Sequence, residues 1–410
     1  MKFTPQAAQQ LRALVDQAVA TPDTIPGVTV VAVGKDGAEP FVYSAGKRGL
    51  ASNQDMTPDH VFWIASFTKI VTAIACMQLV EQGVLSLDDT SQAETLCPEL
   101  RSLKVLKDNG QLEPKHRAIT LRMLLSHTAG FGYSFNNNSL REWGYPDGLD
   151  ELSGDLADMH QPLLFQPGES WAYGIGADWA GIMIERATKL RLNDYFHEHI
   201  FKPMGLANIN MFPTPHMKHR LALMHQRAPD GKLAPRDHPY RRPIVAQTRQ
   251  EQASMHHSGG GGLFAKPQDF SRILAVLLNN GTCPTSGAKL VEPATVDQIF
   301  TNQIPHLPQF GRLGIAASKP EFTNALPDLY PTPGNSPQGW GLSLMLSGGT
   351  TGRSPATGVW GGLPNLFYWV DRENAVGGMV CCQILPHGDA NVAKLFLDFE
   401  TAVYQALNQT

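Results

Sequence analysis

From Ile70 to Val80 the chain is apolar apart from Thr72 and Gln78. A helix built from that run has no face to turn to water, so it must be buried on nearly all sides. With 410 residues, 42% of them hydrophobic and 17% charged, the chain is an ordinary globular one with room for two or three structural units.

The buried run is preceded by Trp63-Ile64-Ala65-Ser66-Phe67-Thr68-Lys69, which sets a hydroxyl and an amine three residues apart at the start of the helix. At that spacing Ser66 and Lys69 share one helical face. A serine needs a nearby base to act as a nucleophile, and a lysine whose pKa is lowered by burial can take its proton. The positive N-terminus of the helix disfavours charge on Lys69 and favours negative charge near Ser66. An S-x-x-K tetrad arises by chance about once in a chain of this size, so its weight depends on the rest of the sequence.

The net charge of -4 and the lack of a basic cluster argue against a nucleic-acid partner. The first twenty residues lack the apolar core of a signal peptide, and no later run of about eighteen apolar residues spans a membrane. A cytoplasmic location is the default expectation. Five cysteines, odd in number and without C-x-x-C spacing, indicate neither a disulfide framework nor a zinc site.

Thr4-Pro5 reads as the start of an amphipathic helix over residues 5–20, and Thr29–Val33 with Phe41–Ser44 as a hairpin around Lys35-Asp36-Gly37. The Ser66 helix is expected to stop at Gly83. Residues 90–255 change to helices and long loops without strong strands. In that stretch His127 closes a short helix and invites a catalytic reading, but no acid lies near it, and a histidine at a helix end more often bonds local backbone. The loop Phe131–Asn138 mixes aromatics and amides, either as a pocket wall, with Tyr133 a candidate substrate contact, or as a plain surface turn. Tyr173 stands where a loop meets a helix; beside a lysine cation it could shuttle the serine proton, and otherwise it is a packing aromatic.

The glycines Gly259–Gly262 match no phosphate loop and read as close backbone packing, and the adjacent His256 and His257 make a poor metal site. A helix follows over 268–278, then an irregular Pro-rich excursion over 300–338. Trp340–Leu346, Thr357–Gly362, Leu366–Val370 and Val376–Leu385 read as an antiparallel meander before a last amphipathic helix. The expected architecture is α/β, of the α+β kind. One antiparallel sheet flanked by helices is built from both termini (residues 1–90 and 256–410), with an inserted helical region at 91–255.

The S-x-x-K of Ser66 and Lys69, Tyr173 about a hundred residues later, the glycine-rich packing and Trp360-Gly361-Gly362 beside a strand together resemble the serine β-lactamase and penicillin-binding-protein superfamily, specifically its class C-like (family VIII-type) esterases. Trp171-Ala172-Tyr173-Gly174, Asp178-Trp179-Ala180-Gly181, Glu185-Arg186-Ala187-Thr188 and Gly361-Gly362-Leu363-Pro364-Asn365 look most like acyltransferases that tailor fungal polyketides of the statin type. The resemblance implies a β-lactamase-like fold and an acylated Ser66. It makes Lys69 and Tyr173 the base system and the backbone N–H groups of Ser66 and Leu363 the oxyanion hole. Such donors are typically worth about 3 kcal/mol each. Trp360, Gly361, Gly362 and Tyr133 would contact substrate; no metal or organic cofactor is implied.

Two departures bear on substrate. The lactamase Y-x-N reads Tyr173-Gly174-Ile175, and its K-T-G reads Trp360-Gly361-Gly362. Losing that amide and that cation weakens binding of a small charged lactam and favours a bulky, less charged partner. The expected activity is serine-dependent acyl transfer or ester hydrolysis on a secondary metabolite. The donor would be an ester or thioester, free or carrier-bound, and the acceptor an alcohol or water. The alternatives are a β-lactamase or D-Ala peptidase and a non-catalytic binder retaining the fold.

Overall fold

The computed structural model describes residues 1–21, 23–328 and 338–409. Helix α1 (Pro5–Ala18) begins where the Thr4 hydroxyl accepts from the Ala7 amide at 3.2 Å, with Pro5 in the first turn, where its missing N–H costs nothing. Strands β1 (Gly27–Gly34) and β2 (Phe41–Gly46) form the expected antiparallel hairpin, Thr29 opposite Ser44, with Gly37 in the turn at φ +74. The C-terminal part adds β3 (Gly339–Trp340), β4 (Met345–Leu346), β5 (Gly358–Gly362), β6 (Leu366–Asp371) and β7 (Val376–Cys381). The seven strands lie in the order β3-β4-β5-β6-β7-β1-β2, all neighbours antiparallel. The two ends of the chain meet at β7 and β1, Thr29 opposite Cys381 and Gly34 opposite Val376.

Helix α2 (Thr68–Glu81) is buried from Thr68 to Leu79, as its composition requires. Its two interior polar residues find buried partners: Thr72 donates to the Gly259 carbonyl at 2.7 Å and Gln78 to the Leu290 carbonyl at 3.1 Å. Helix α3 (Gly176–Thr188) packs along α2, and α4 (Pro267–Leu278) lies on the sheet across β1 and β7. Helix α5 (Ala390–Leu407), capped by Asp389, packs with α1.

Alternation along β6 sorts these helices onto two faces. Phe367 and Trp369 stand 5.0 and 6.0 Å from Phe396 of α5, whereas Tyr368 between them lies 4.8 Å from Phe67 and 5.8 Å from Phe270 of α4. Both faces are therefore covered, and Phe67 ties the Ser66 segment to the sheet.

Two strand expectations change. The run Trp340–Leu346 is two short strands bent at Ser343, whose φ is +69 and whose amide donates to the Leu125 carbonyl at 2.9 Å. The run Val376–Leu385 leaves the sheet after Cys381, and Ile384–Leu385 pairs in parallel with His225–Gln226 instead. Gln383 makes the break, its side chain bonded to both the amide and the carbonyl of Trp63. The middle of the chain also holds short hairpins, Lys104–Leu106 with Leu112–Pro114 and His225–Arg227 with Leu233–Pro235. Of the Pro-rich excursion, residues 329–337 lie outside the described residues; the rest holds a short 3-10 turn at Phe310–Arg312.

Candidate active site

Ser66 precedes α2 on a single 3-10 turn, Ala65–Phe67, instead of opening the α-helix itself. The turn follows from Ala65, which sits at φ +44, a conformation costly for any residue with a Cβ. Thr68 holds it in place. Its hydroxyl donates to the Ala65 carbonyl at 2.7 Å and accepts from the Leu263 amide at 3.0 Å. In 3-10 geometry residues i and i+3 eclipse, so Lys69 still comes under Ser66.

Lys69 has no exposed surface. Its Nζ donates to Ser66 Oγ at 3.2 Å, to the Tyr133 hydroxyl at 3.0 Å and to the Gly260 carbonyl at 2.8 Å, which uses all three ammonium donors. It also lies over the ring of Tyr173, 4.7 Å from the centroid, where an aromatic face attracts a cation.

The two tyrosines divide differently from the expectation. Tyr133, read as a substrate contact, is hydrogen-bonded to the amine and also lines the cleft. Burial pushes its phenol well above the usual range, with the carboxylate of Asp178 adding to the effect, so Tyr133 keeps its proton. Tyr173, half-buried just before α3, meets Lys69 with its ring, and its hydroxyl accepts from Trp360 Nε1 at 3.0 Å.

His127 is buried at φ +58 and brackets Tyr173 from both sides. Its carbonyl accepts from the Ala172 amide at 3.1 Å and its Nδ1 from the Gly174 amide at 3.3 Å, with ring centroids of His127 and Tyr173 4.8 Å apart. Burial, then the nearby Lys69, hold the imidazole neutral. It bonds backbone, as a helix-end histidine often does, but backbone 47 residues away, at the residue after Tyr173.

Leu363 follows directly on β5 and lines the same cleft as Ser66, Gly361 and Gly362. The approach is close because a Cβ on Gly362 would lie 2.8 Å from the Ile64 carbonyl oxygen. Asn365, at φ +57, turns the chain back into β6. Its amide donates to the Ile384 and Pro386 carbonyls at 2.8 Å each and accepts from the Gly388 and Asp389 amides at 3.0 Å each.

The cleft is open to solvent and walled by Trp63, Phe135, Leu152, Ile315, Leu326, Trp360 and Phe367 among others. No Lys, Arg, Asp or Glu lines it among the described residues, and residues 329–337 contain none. Its one histidine, His387, is kept neutral by burial. The glycine-rich loop does pack closely, as expected, but it also supplies the Gly260 carbonyl to Lys69, a role with no sequence signature.

This is the arrangement of a serine acyl-enzyme scaffold, and a family model described as Beta-lactamase matches residues 12–402. The chain belongs to the β-lactamase family. Among its relatives, the lovastatin esterase of Penicillium rubens is 31% identical over 95% of this chain and 96% of its own length. The monacolin J acid methylbutanoyltransferase of Aspergillus terreus is 28% identical over 94% and 93%. The unliganded selenomethionyl structure of simvastatin synthase (LovD) from Aspergillus terreus superposes with a TM-score of 0.79 at 26% identity, covering 99% of this chain and all of that one. An esterase and acyltransferases thus share this scaffold. Among the described residues no helix is long and apolar enough to cross a membrane.

Proposed function

We propose that the protein transfers an acyl group to, or hydrolyses an ester of, a bulky polyketide-type secondary metabolite through an acyl-enzyme on Ser66. The observation that carries this is the contact of Ser66 Oγ with a fully buried amine that has no carboxylate within ion-pair distance among the described residues. In its uncharged form Lys69 accepts the serine proton as Oγ bonds to the carbonyl carbon. The amide groups of Ser66 and Leu363 take up the charge on the carbonyl oxygen. When the bond to the leaving alcohol or thiol breaks, that proton returns to the leaving group, with Tyr173, held by Trp360 and His127, adjoining the path. An acceptor alcohol or water then repeats the sequence in reverse.

The aromatic cleft favours a neutral ester or thioester, free or carrier-bound, over a carboxylate-bearing lactam, since no Lys or Arg among the described residues lines it to pair with the carboxylate. Intact-protein mass after mixing with a panel of activated esters and thioesters tests the common step. Wild type should gain the acyl mass and Ser66→Ala should not; a wild type without any gain across the panel would reject the reading. Product masses with and without added alcohols separate transfer from hydrolysis.

A further inference from the structure

We propose that Asp178 is a positioning residue for acylation: it clamps Gly260 so that its carbonyl aims Lys69 at Ser66, and it supplies a buried negative charge that balances the amine. The inference rests on the Ser66 acyl-enzyme reading. Asp178 stands in the first turn of α3 and is buried. Its Oδ1 accepts from Ser258 Oγ at 2.6 Å and from the Gly260 amide at 3.0 Å, and lies 3.4 Å from His256 Nε2. A Cβ on Gly260 would sit 2.2 Å from Asp178 Oδ2, so the loop is pressed against the carboxylate.

On its other side the loop is fixed to α2. The Gly259 carbonyl accepts from Thr72, one turn beyond Lys69, and a Cβ on Gly259 would lie 2.5 Å from the Ala177 carbonyl oxygen. Ser258 Oγ also accepts from the Gly261 amide at 2.9 Å, which completes the turn. Gly260 is thus wedged between two helices with its amide on Asp178 and its carbonyl 2.8 Å from Lys69 Nζ. A lysine has a flexible stem and three rotatable donors, so its direction is set by where its acceptors are held.

The same contacts set the charge of the site. Burial opposes ionisation of Asp178, but His256, Lys69 and the Ser258 hydroxyl outweigh it and hold the carboxyl below its ordinary range. The titratable groups facing it are Lys69 of α2, His256 of the glycine loop, and His127, Tyr133 and Tyr240 beyond. The attraction that holds the Asp178 carboxyl low is lost with the anion, so the pH dependence of acylation should respond to its removal.

Asp178→Asn and Asp178→Ala separate charge from clamp, read as kcat, KM and the pH dependence of kcat/KM on an ester that acylates the wild type. Asp178→Asn should move the acid limb. Asp178→Ala should lower kcat by about a hundredfold with KM within about threefold of wild type. If Asp178→Ala does not fold, Ser258→Ala stands in, with an expected several-fold loss of kcat. An unmoved acid limb in folded Asp178→Asn, an unmoved kcat in the clamp variants, or a loss confined to KM would overturn the proposal. A wild type that never acylates removes both readings, whereas an acylating wild type matched by its Asp178 variants removes this one alone.

Discussion

An amine without exposed surface must have every donor met, because an unpaired buried polar group costs about 1–3 kcal/mol, and a charged one more. Lys69 satisfies this with three acceptors of three kinds, a hydroxyl, a phenol and a carbonyl. Tyr133→Phe keeps the ring and removes one acceptor. Losing a charge-assisted hydrogen bond of about 1.5–3 kcal/mol should lower kcat/KM for acylation by about tenfold to a hundredfold, measured by single-turnover mass spectrometry. Of these contacts only the pair Ser66 and Lys69 was legible in the sequence, since spacing along one helical turn fixes direction. The bond to Tyr133 spans 64 residues and that to Gly260 spans 191, separations at which local pattern carries no geometry.

At the level of elements, the site depends on how closely β5 meets the Ser66 turn. Gly362→Ala would place a methyl group 2.8 Å from the Ile64 carbonyl oxygen and push strand and turn apart. Overpacking of this kind costs about 1–3 kcal/mol, and kcat should fall further than the folded fraction does, as denaturant titration beside steady-state kinetics will show. Asn365→Ala loses four hydrogen bonds and puts a less tolerant residue at φ +57, so a stability loss of about 3–5 kcal/mol is expected in the same titration. The strands over 358–362 and 366–371 were legible as strands because their apolar and β-rich runs end in turn residues. The break of Trp340–Leu346 at Ser343 was not, because the Leu125 carbonyl that captures the Ser343 amide comes from a distant helix.

At the scale of the molecule, buried neutral histidines make stability depend on pH. His257, through burial and the neighbouring Arg191, is pushed down to about 3, and burial holds His127 well below its ordinary range. Above pH ~6.5 both are neutral whether the chain is folded or not, and they contribute no pH dependence. As pH falls below that value the unfolded chain binds protons that the fold refuses, so stability drops by up to about 1.4 kcal/mol per pH unit for each such histidine. Urea titrations between pH 7.5 and 5 should show this decline. His257→Asn, which keeps an acceptor for the Asn193 amide, should make it shallower by one histidine's share.

The sequence by itself determined that a helix at 70–80 had to be buried, that Ser66 and Lys69 would share its face, and that strands near both ends would be available to one sheet; each follows from composition or from a period of a few residues. The tertiary structure alone decided that β1 would lie beside β7, which tyrosine would bond the amine, and that a glycine carbonyl backed by Asp178 would aim it. Those are contacts between segments far apart along the chain, made by backbone groups and side chains common to every protein, and only the packing of the whole selects them.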